Sequence, residues 1–160
     1  MIFAHLTHRF QVKNQTMTDL IKKLNYKAQQ AIGIFESPDE FAPHIKDFQK
    51  LGTVYTKIHS ADHFDFVLVF VQTEQAITEL SLELAPKLTD DAPFWFVYPK
   101  KSSKKYKAEI HRDHGWASLG KLGFEGVRMV AVDDDWSALR FRKADKIKTL
   151  KRDPSWRLTK

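Results

Sequence analysis

The residues best able to do chemistry lie together between positions 100 and 107. There Lys100-Lys101-Ser102-Ser103-Lys104-Lys105-Tyr106-Lys107 places five ammonium groups and two hydroxyls in one short segment. Ammonium groups at this density can hold a phosphate or a carboxylate. The same composition also makes an ordinary solvated basic loop. Phe94–Tyr98 (FWFVY) precedes it, apolar enough for a strand covered on both faces, and Pro99 stops that strand. Ligands of open α/β sheets sit at the carboxyl ends of strands, so a basic loop here is a candidate anion site. Its residues are Lys100, Lys101, Ser102, Ser103 and Lys104. Trp136 and Arg140, which open a later strand pattern, are added as side chains that could cover a ligand, with the core as the competing place for Trp136.

Other constellations are weaker. His111 and His114 could share a helical turn as metal ligands, but no third ligand follows at a suitable spacing, and surface or capping roles suit them better. His59 and His63 flank Asp62 in a loop and read the same way. Asp133-Asp134-Asp135 could bind a divalent cation or serve as acid–base carboxylates, yet a turn between two strands favours Asp for local reasons. Ser137 has no histidine arranged around it, so no catalytic residue and no metal site is assigned. The absence of cysteine excludes disulfides, thiol catalysis and thiolate metal sites.

These side chains need elements to position them. Met1–Thr16 lacks clear periodicity and reads as a poorly ordered or loosely docked arm. Leu20, Ile21 and Leu24 give a short helix ended by Asn25, a residue that tolerates the left-handed conformation. Ala31–Glu36 (AIGIFE) suits a buried strand. Ser37-Pro38-Asp39-Glu40 has the parts of a capping box, and Phe41, Ile45 and Phe48 follow at helical spacing up to Gly52. Thr53–His59 alternates like a half-exposed strand, and Phe64–Val71 is a second buried one. Thr73 is placed to cap a helix carrying Ile77, Leu80, Leu84 and Leu88. Asp113 is a cap candidate for a helix with Trp116, Leu119 and Leu122, stopped by Gly123. Val127–Val132 and Ser137–Arg142 form a hairpin about Asp133–Trp136.

The pattern predicts one α/β domain over 17–142: three Rossmann-like layers, with a mainly parallel sheet closed by a C-terminal antiparallel β-hairpin. Ser60–His63 is too short for a helical crossover, which leaves either a hairpin or an extended segment running back across the sheet. The turn after the first strand carries no GxGxxG, and Asp39 and Glu40 occupy the positive helix end that would otherwise receive a phosphate. No cofactor is therefore expected in the standard position.

Of the formal charge of +6, most lies in Lys143–Lys160, where seven basic residues face Asp145 and Asp153 for a net of +5. The 19 basic and 18 acidic residues left in 1–142 make a nearly neutral body. Such a basic tail can attract nucleic acid or an acidic partner, or simply remain solvated. With no membrane-length apolar run and no signal-peptide pattern, a cytoplasmic location is expected.

Several blocks carry a family resemblance: Tyr98-Pro99-Lys100-Lys101-Ser102-Ser103-Lys104, Arg112-Asp113, Leu122-Gly123, and Val130–Arg140 with its Asp133-Asp134-Asp135-Trp136-Ser137 core. Lys22-Lys23-Leu24, Tyr26-Lys27 and Ile34–Phe41 extend them towards the start. Over about Met17–Arg142 the chain resembles a bacterial family known as domain of unknown function 3052. The resemblance implies a reduced Rossmann-type fold, similar in outline to class I methyltransferases, and no catalytic activity. The resulting expectation is a non-enzymatic binding or regulatory module with an anion-binding lysine loop. An atypical S-adenosylmethionine-dependent methyltransferase-like enzyme and nucleic-acid binding through Lys143–Lys160 are the alternatives.

Overall fold

The computed structural model describes residues 17–148 and 157–159; the predicted arm at Met1–Thr16 lies outside them. Helix α1 (Asp19–Lys23) is followed by strand β1 (Ala31–Phe35), helix α2 (Ala42–Gln49), the short strand β2 (Thr53–Tyr55) and strand β3 (Phe66–Phe70). Helix α3 (Glu74–Leu84), strand β4 (Phe94–Pro99), helix α4 (Ala117–Lys121) and the hairpin β5 (Phe124–Ala131) and β6 (Trp136–Lys143) complete the order.

The six strands form one sheet in the order β2-β1-β3-β4-β6-β5. Strands β2, β1, β3 and β4 are parallel, whereas β6 runs antiparallel between β4 and β5. Successive strand residues point to opposite faces, so an apolar run buries both. On one face Ile32, Ile34, Phe66, Leu68, Trp95 and Val97 pack with Leu20, Ile21 and Leu24 of the α1 region and Phe48 of α2. On the other, Val67, Val69, Phe94, Phe96 and Phe141 pack with Ile77 and Leu84 of α3 and Leu119 of α4. Trp95 also ties the layers together, because its indole N–H donates to Leu24 O at 3.0 Å. The three-layer, mainly parallel architecture closed by a hairpin is the one predicted.

Several local expectations are corrected. Ser37 does not cap a helix: Pro38 opens a 3-10 turn at Asp39–Phe41 without a side-chain cap, and α2 begins only at Ala42. The capping box fails because Glu40 points to another partner, Tyr106. Asp113 does not cap α4, whose N-cap is Trp116 without a side-chain bond, since residues 111–116 are used in a separate turn. The expected strand over Thr53–His59 stops at Tyr55 and gives way to a 3-10 turn at Ile58–Ser60. That turn resolves the short connection: β2 and β3 both pair with β1, one on each side, so residues 56–65 cross the sheet without a helix. The Lys87 ammonium holds the crossing by donating to Ile58 O and Ala61 O, both at 2.8 Å.

Other expectations hold. Asn25 adopts φ 60 behind α1, and Gly123 adopts φ 90 behind α4. Thr73 Oγ1 accepts the Ala76 N–H at 3.1 Å and caps α3. Asp133 Oδ1 accepts the N–H groups of Asp135 and Trp136, both at 2.8 Å, which makes the aspartate run a local turn. The basic end is partly integrated into the body. Lys143 closes β6, donates to Leu122 O at 2.6 Å and lies 4.6 Å over the Phe124 ring. Lys146 pairs with Asp90 at 3.1 Å. No helix among the described residues is long and apolar enough to cross a membrane.

Candidate functional site

The chain leaves β1 towards β2 on one side and reaches β3 on the other, so the sheet has a topological switch point between the carboxyl ends of β1 and β3. A cleft of about 590 Å³ opens there. Its walls come from the β1 turn (Glu36, Pro38), the β3 end (Phe70, Val71, Gln72), the capped start and outer face of α3 (Thr73, Ala76, Glu79, Leu80, Glu83), and two aromatic residues, Tyr106 and Trp136. Glu36 turns the chain out of β1 at φ 59, a left-handed conformation unusual for a residue with a side chain. Its carboxylate shares the cleft lining with those of Glu79 and Glu83, one helical turn apart on α3, and no lysine or arginine lines the space.

The aromatic side of the cleft is closely packed. Trp136 is 2% exposed and meets Phe70 edge-on at 5.2 Å and Tyr106 at 4.7 Å. Its indole Nε1 is buried and has no acceptor among the described residues.

A strap over residues 100–110 bridges the carboxyl ends of the strands. Lys100 N donates to Asp135 O at 2.8 Å, and Ser103 Oγ donates to Asp135 Oδ1 at 2.8 Å. Ser103 Oγ in turn accepts the N–H groups of Lys105 at 3.3 Å and Tyr106 at 3.1 Å. Farther along, Glu109 N donates to Gln72 O at 3.1 Å, which pins the strap to the end of β3. The Tyr106 hydroxyl reaches the Glu40 carboxylate, and Lys105 pairs with Glu40 at 3.4 Å. The hydrogen bond from Tyr106, with help from Lys105, lowers the Glu40 pKa; the same bond raises that of Tyr106. The charge of Glu40 raises that of Lys105.

The predicted anion-site residues fall in four places. Lys100, Lys101 and Ser103 come together and line a second cleft of about 320 Å³, with Tyr106, Lys107 and Ile110. Ser102 and Lys104 are exposed on the strap outside that lining. Trp136, opposite Pro99, belongs to the larger cleft, whereas Arg140 pairs with Trp95 at the amino end of β4. Arg140 is half-buried there; burial, followed by the like charge of Arg142, lowers its pKa.

Sequence reasoning missed Glu36, Glu79, Glu83 and Tyr106. Glu79 and Glu83 look like any solvated helix face, and only the fold brings that face beside the β1 turn. Tyr106 lay within the lysine segment, but nothing in its spacing shows that it would line both clefts. The histidine pair is structural. His111 and His114 exchange backbone hydrogen bonds at 3.2 and 3.1 Å, and His111 O accepts the Trp116 indole N–H at 2.8 Å. Among the described residues no group of three potential metal ligands assembles.

No family model matches the chain, and no curated protein matches it. Solved structures do. The N-methyltransferase NodS from Bradyrhizobium japonicum WM9 aligns over 83% of this chain and 97% of its own, at 13% identity and a TM-score of 0.50. The magnesium protoporphyrin IX methyltransferase ChlM from Synechocystis PCC 6803, solved with bound SAH, aligns over 87% and 84%, at 11% identity and a TM-score of 0.50. The pyocyanin biosynthetic protein PhzM aligns over 82% of this chain and 55% of its own, at 9% identity and a TM-score of 0.53. At these identities the likeness is one of fold, and this chain has the Rossmann-like α/β fold of the class I methyltransferases.

Proposed function

We propose that the protein is a binding module built on the methyltransferase fold, and that the cleft between β1 and β3 takes a small organic cation. One observation carries this reading: the switch-point cleft is lined by Glu36, Glu79 and Glu83 with Phe70, Tyr106 and Trp136, and by no basic residue. Carboxylates and aromatic faces together stabilise ammonium and sulfonium groups.

S-adenosylmethionine, a sulfonium compound, matches the charge of the cleft but not the usual cradle. The β1 turn reads Glu36-Ser37-Pro38-Asp39-Glu40, with no glycine to let the backbone approach a ligand. The end of β2 carries Tyr55-Thr56-Lys57, where a dinucleotide-type site would place a carboxylate for the ribose diol. The reading of an atypical methyltransferase-like enzyme is supported by the fold.

We also propose that the chain is related to the domain of unknown function 3052 family, on the motifs that carry that resemblance. Asp135 of the Asp-Asp-Asp-Trp-Ser block holds Lys100 and Ser103 of the Pro-Lys-Lys-Ser-Ser block, so the two most specific motifs are one physical unit.

Isothermal titration of the full chain with tetramethylammonium, spermidine and S-adenosylmethionine tests the proposal. At least one should bind saturably, with affinity reduced about tenfold in Glu79→Gln. Failure of all three would sink the cation reading. Binding of S-adenosylmethionine accompanied by S-adenosylhomocysteine formation with an acceptor would replace the module by an enzyme.

A further inference from the structure

The strap carries a second concavity, of opposite charge, which shares Tyr106 alone with the cation cleft. It holds about 320 Å³, and the charged groups lining it are Lys100, Lys101 and Lys107. No aspartate or glutamate lines it. Lys105, from the same segment, shows the contrast: it is neutralised by Glu40 at 3.4 Å and does not line the space. The ammonium groups of Lys100, Lys101 and Lys107 make no ion pair or hydrogen bond among the described residues.

Like charges around one concavity repel each other, and mobile surface lysines usually escape this by spreading into solvent. Here the backbone that carries them is tied down. Asp135 holds Lys100 N and Ser103 Oγ, Ser103 Oγ holds Tyr106 N, and Gln72 O holds Glu109 N. Buried Ile110 and Pro99 form the apolar part of the lining. The lysine stems therefore start from fixed points around a shaped hollow with no carboxylate in its lining among the described residues.

We propose that this hollow binds the oxyanion group, phosphate or carboxylate, of a small molecule, with Lys100, Lys101 and Lys107 as its cationic contacts. A small anion fits a hollow of this size, whereas a nucleic-acid backbone would need a continuous basic track. The side chain of Ser103 orders the strap by bonding Asp135 and the Tyr106 N–H, and so acts as a positioning residue.

The test is titration of the full chain with inorganic pyrophosphate and with citrate at constant ionic strength, because exposed charges are screened by salt. Saturable binding of one of them, weakened about tenfold or more in K101A/K107A, is the expected result. K46A/K121A removes the same charge elsewhere and should bind like the parent. A preference for pyrophosphate would support a phosphate as the natural group, and a preference for citrate a carboxylate. Equal losses in the two double variants would overturn the site, since only net charge would then matter. Failure of both anions to bind would overturn it too. The unliganded variants should melt at the parent's temperature, and Glu79→Gln should leave anion binding unchanged, which keeps this result separate from the cation reading.

Discussion

Asp91 shows how single residues tune this structure. It accepts Arg142 Nε at 2.8 Å and Arg142 Nη2 at 2.6 Å, a two-point carboxylate–guanidinium pair. The hydrogen bond from Arg142 is the main cause of its lowered pKa, with the charges of Arg142, Arg140 and Lys146 adding to it. A carboxylate with a lowered folded pKa adds stability above its unfolded value of about 3.9, and loses it as pH falls through the folded pKa. The Asp91→Asn variant should therefore lose stability at neutral pH and show a shallower acid decline below about pH 4. Both side chains are about one-third exposed, so the effect should be about 1 kcal/mol or less. Asn tolerates the φ of 54 that Asp91 adopts, so the variant isolates charge from backbone strain. Urea unfolding across the acid range would check this; an unchanged pH profile would exclude the pair as a stabilising interaction. At this scale the sequence is readable where a residue acts on near neighbours. Thr73 capping Ala76 N and Asp133 folding its own turn are local events with local signatures. Arg142 meeting Asp91 is not, because the partners are 51 residues apart.

Among the elements, the strap from Lys100 to Ile110 depends most on distant partners. Tyr106 gives it one anchor to Glu40, and Glu109 N gives another to Gln72 O. Replacing Tyr106 by Phe keeps the ring against Trp136 and removes only the hydroxyl anchor. Amide exchange at Tyr106–Glu109 should quicken, while global stability changes little, because the bond is solvent-exposed. Unchanged exchange would mean that the Asp135 and Gln72 contacts alone order the strap. The capping box shows why this element was only half legible. Ser37-Pro38-Asp39-Glu40 satisfies every local rule for a helix start, yet tertiary contact takes Glu40 to Tyr106, 66 residues away, and the helix starts later. Likewise, the lysines announced a basic loop after β4, but only the fold separates those lining a hollow from Ser102 and Lys104 outside it. The acidic cleft was illegible for the complementary reason: Glu36 and Glu79 line one space although α2, β2 and β3 lie between them in the chain.

For the molecule as a whole, alternating apolar runs were enough to read the layers, while the final closure was not legible. Glu125 is fully buried, and its carboxylate accepts Leu158 N at 3.0 Å, Thr159 N at 2.7 Å and Thr159 Oγ1 at 2.9 Å. Leu158 packs so tightly on α4 that a Cβ on Gly120 would meet Leu158 O at 2.4 Å. Composition reads the end as a basic tail, since two uncharged residues carry no periodicity that could reveal a docking segment. Removing residues 157–160 should strip the Glu125 carboxylate of these partners and cost about 1.5–3 kcal/mol. The same truncation in a Glu125→Leu background should cost much less, a coupling that paired urea denaturation curves would detect. Additive losses would show that Leu158 packing, rather than the carboxylate, matters.

Tyr106 has a consequence on this scale too, because one phenol ring forms part of the wall of both clefts. A guest on either side that shifts the ring alters the space offered to a guest on the other. Thermodynamic linkage then requires the two effects to be equal: whatever factor a cation imposes on anion affinity, the anion must impose on cation affinity. The two hollows would thus behave as a reciprocal pair, reporting each other's occupancy through a single side chain.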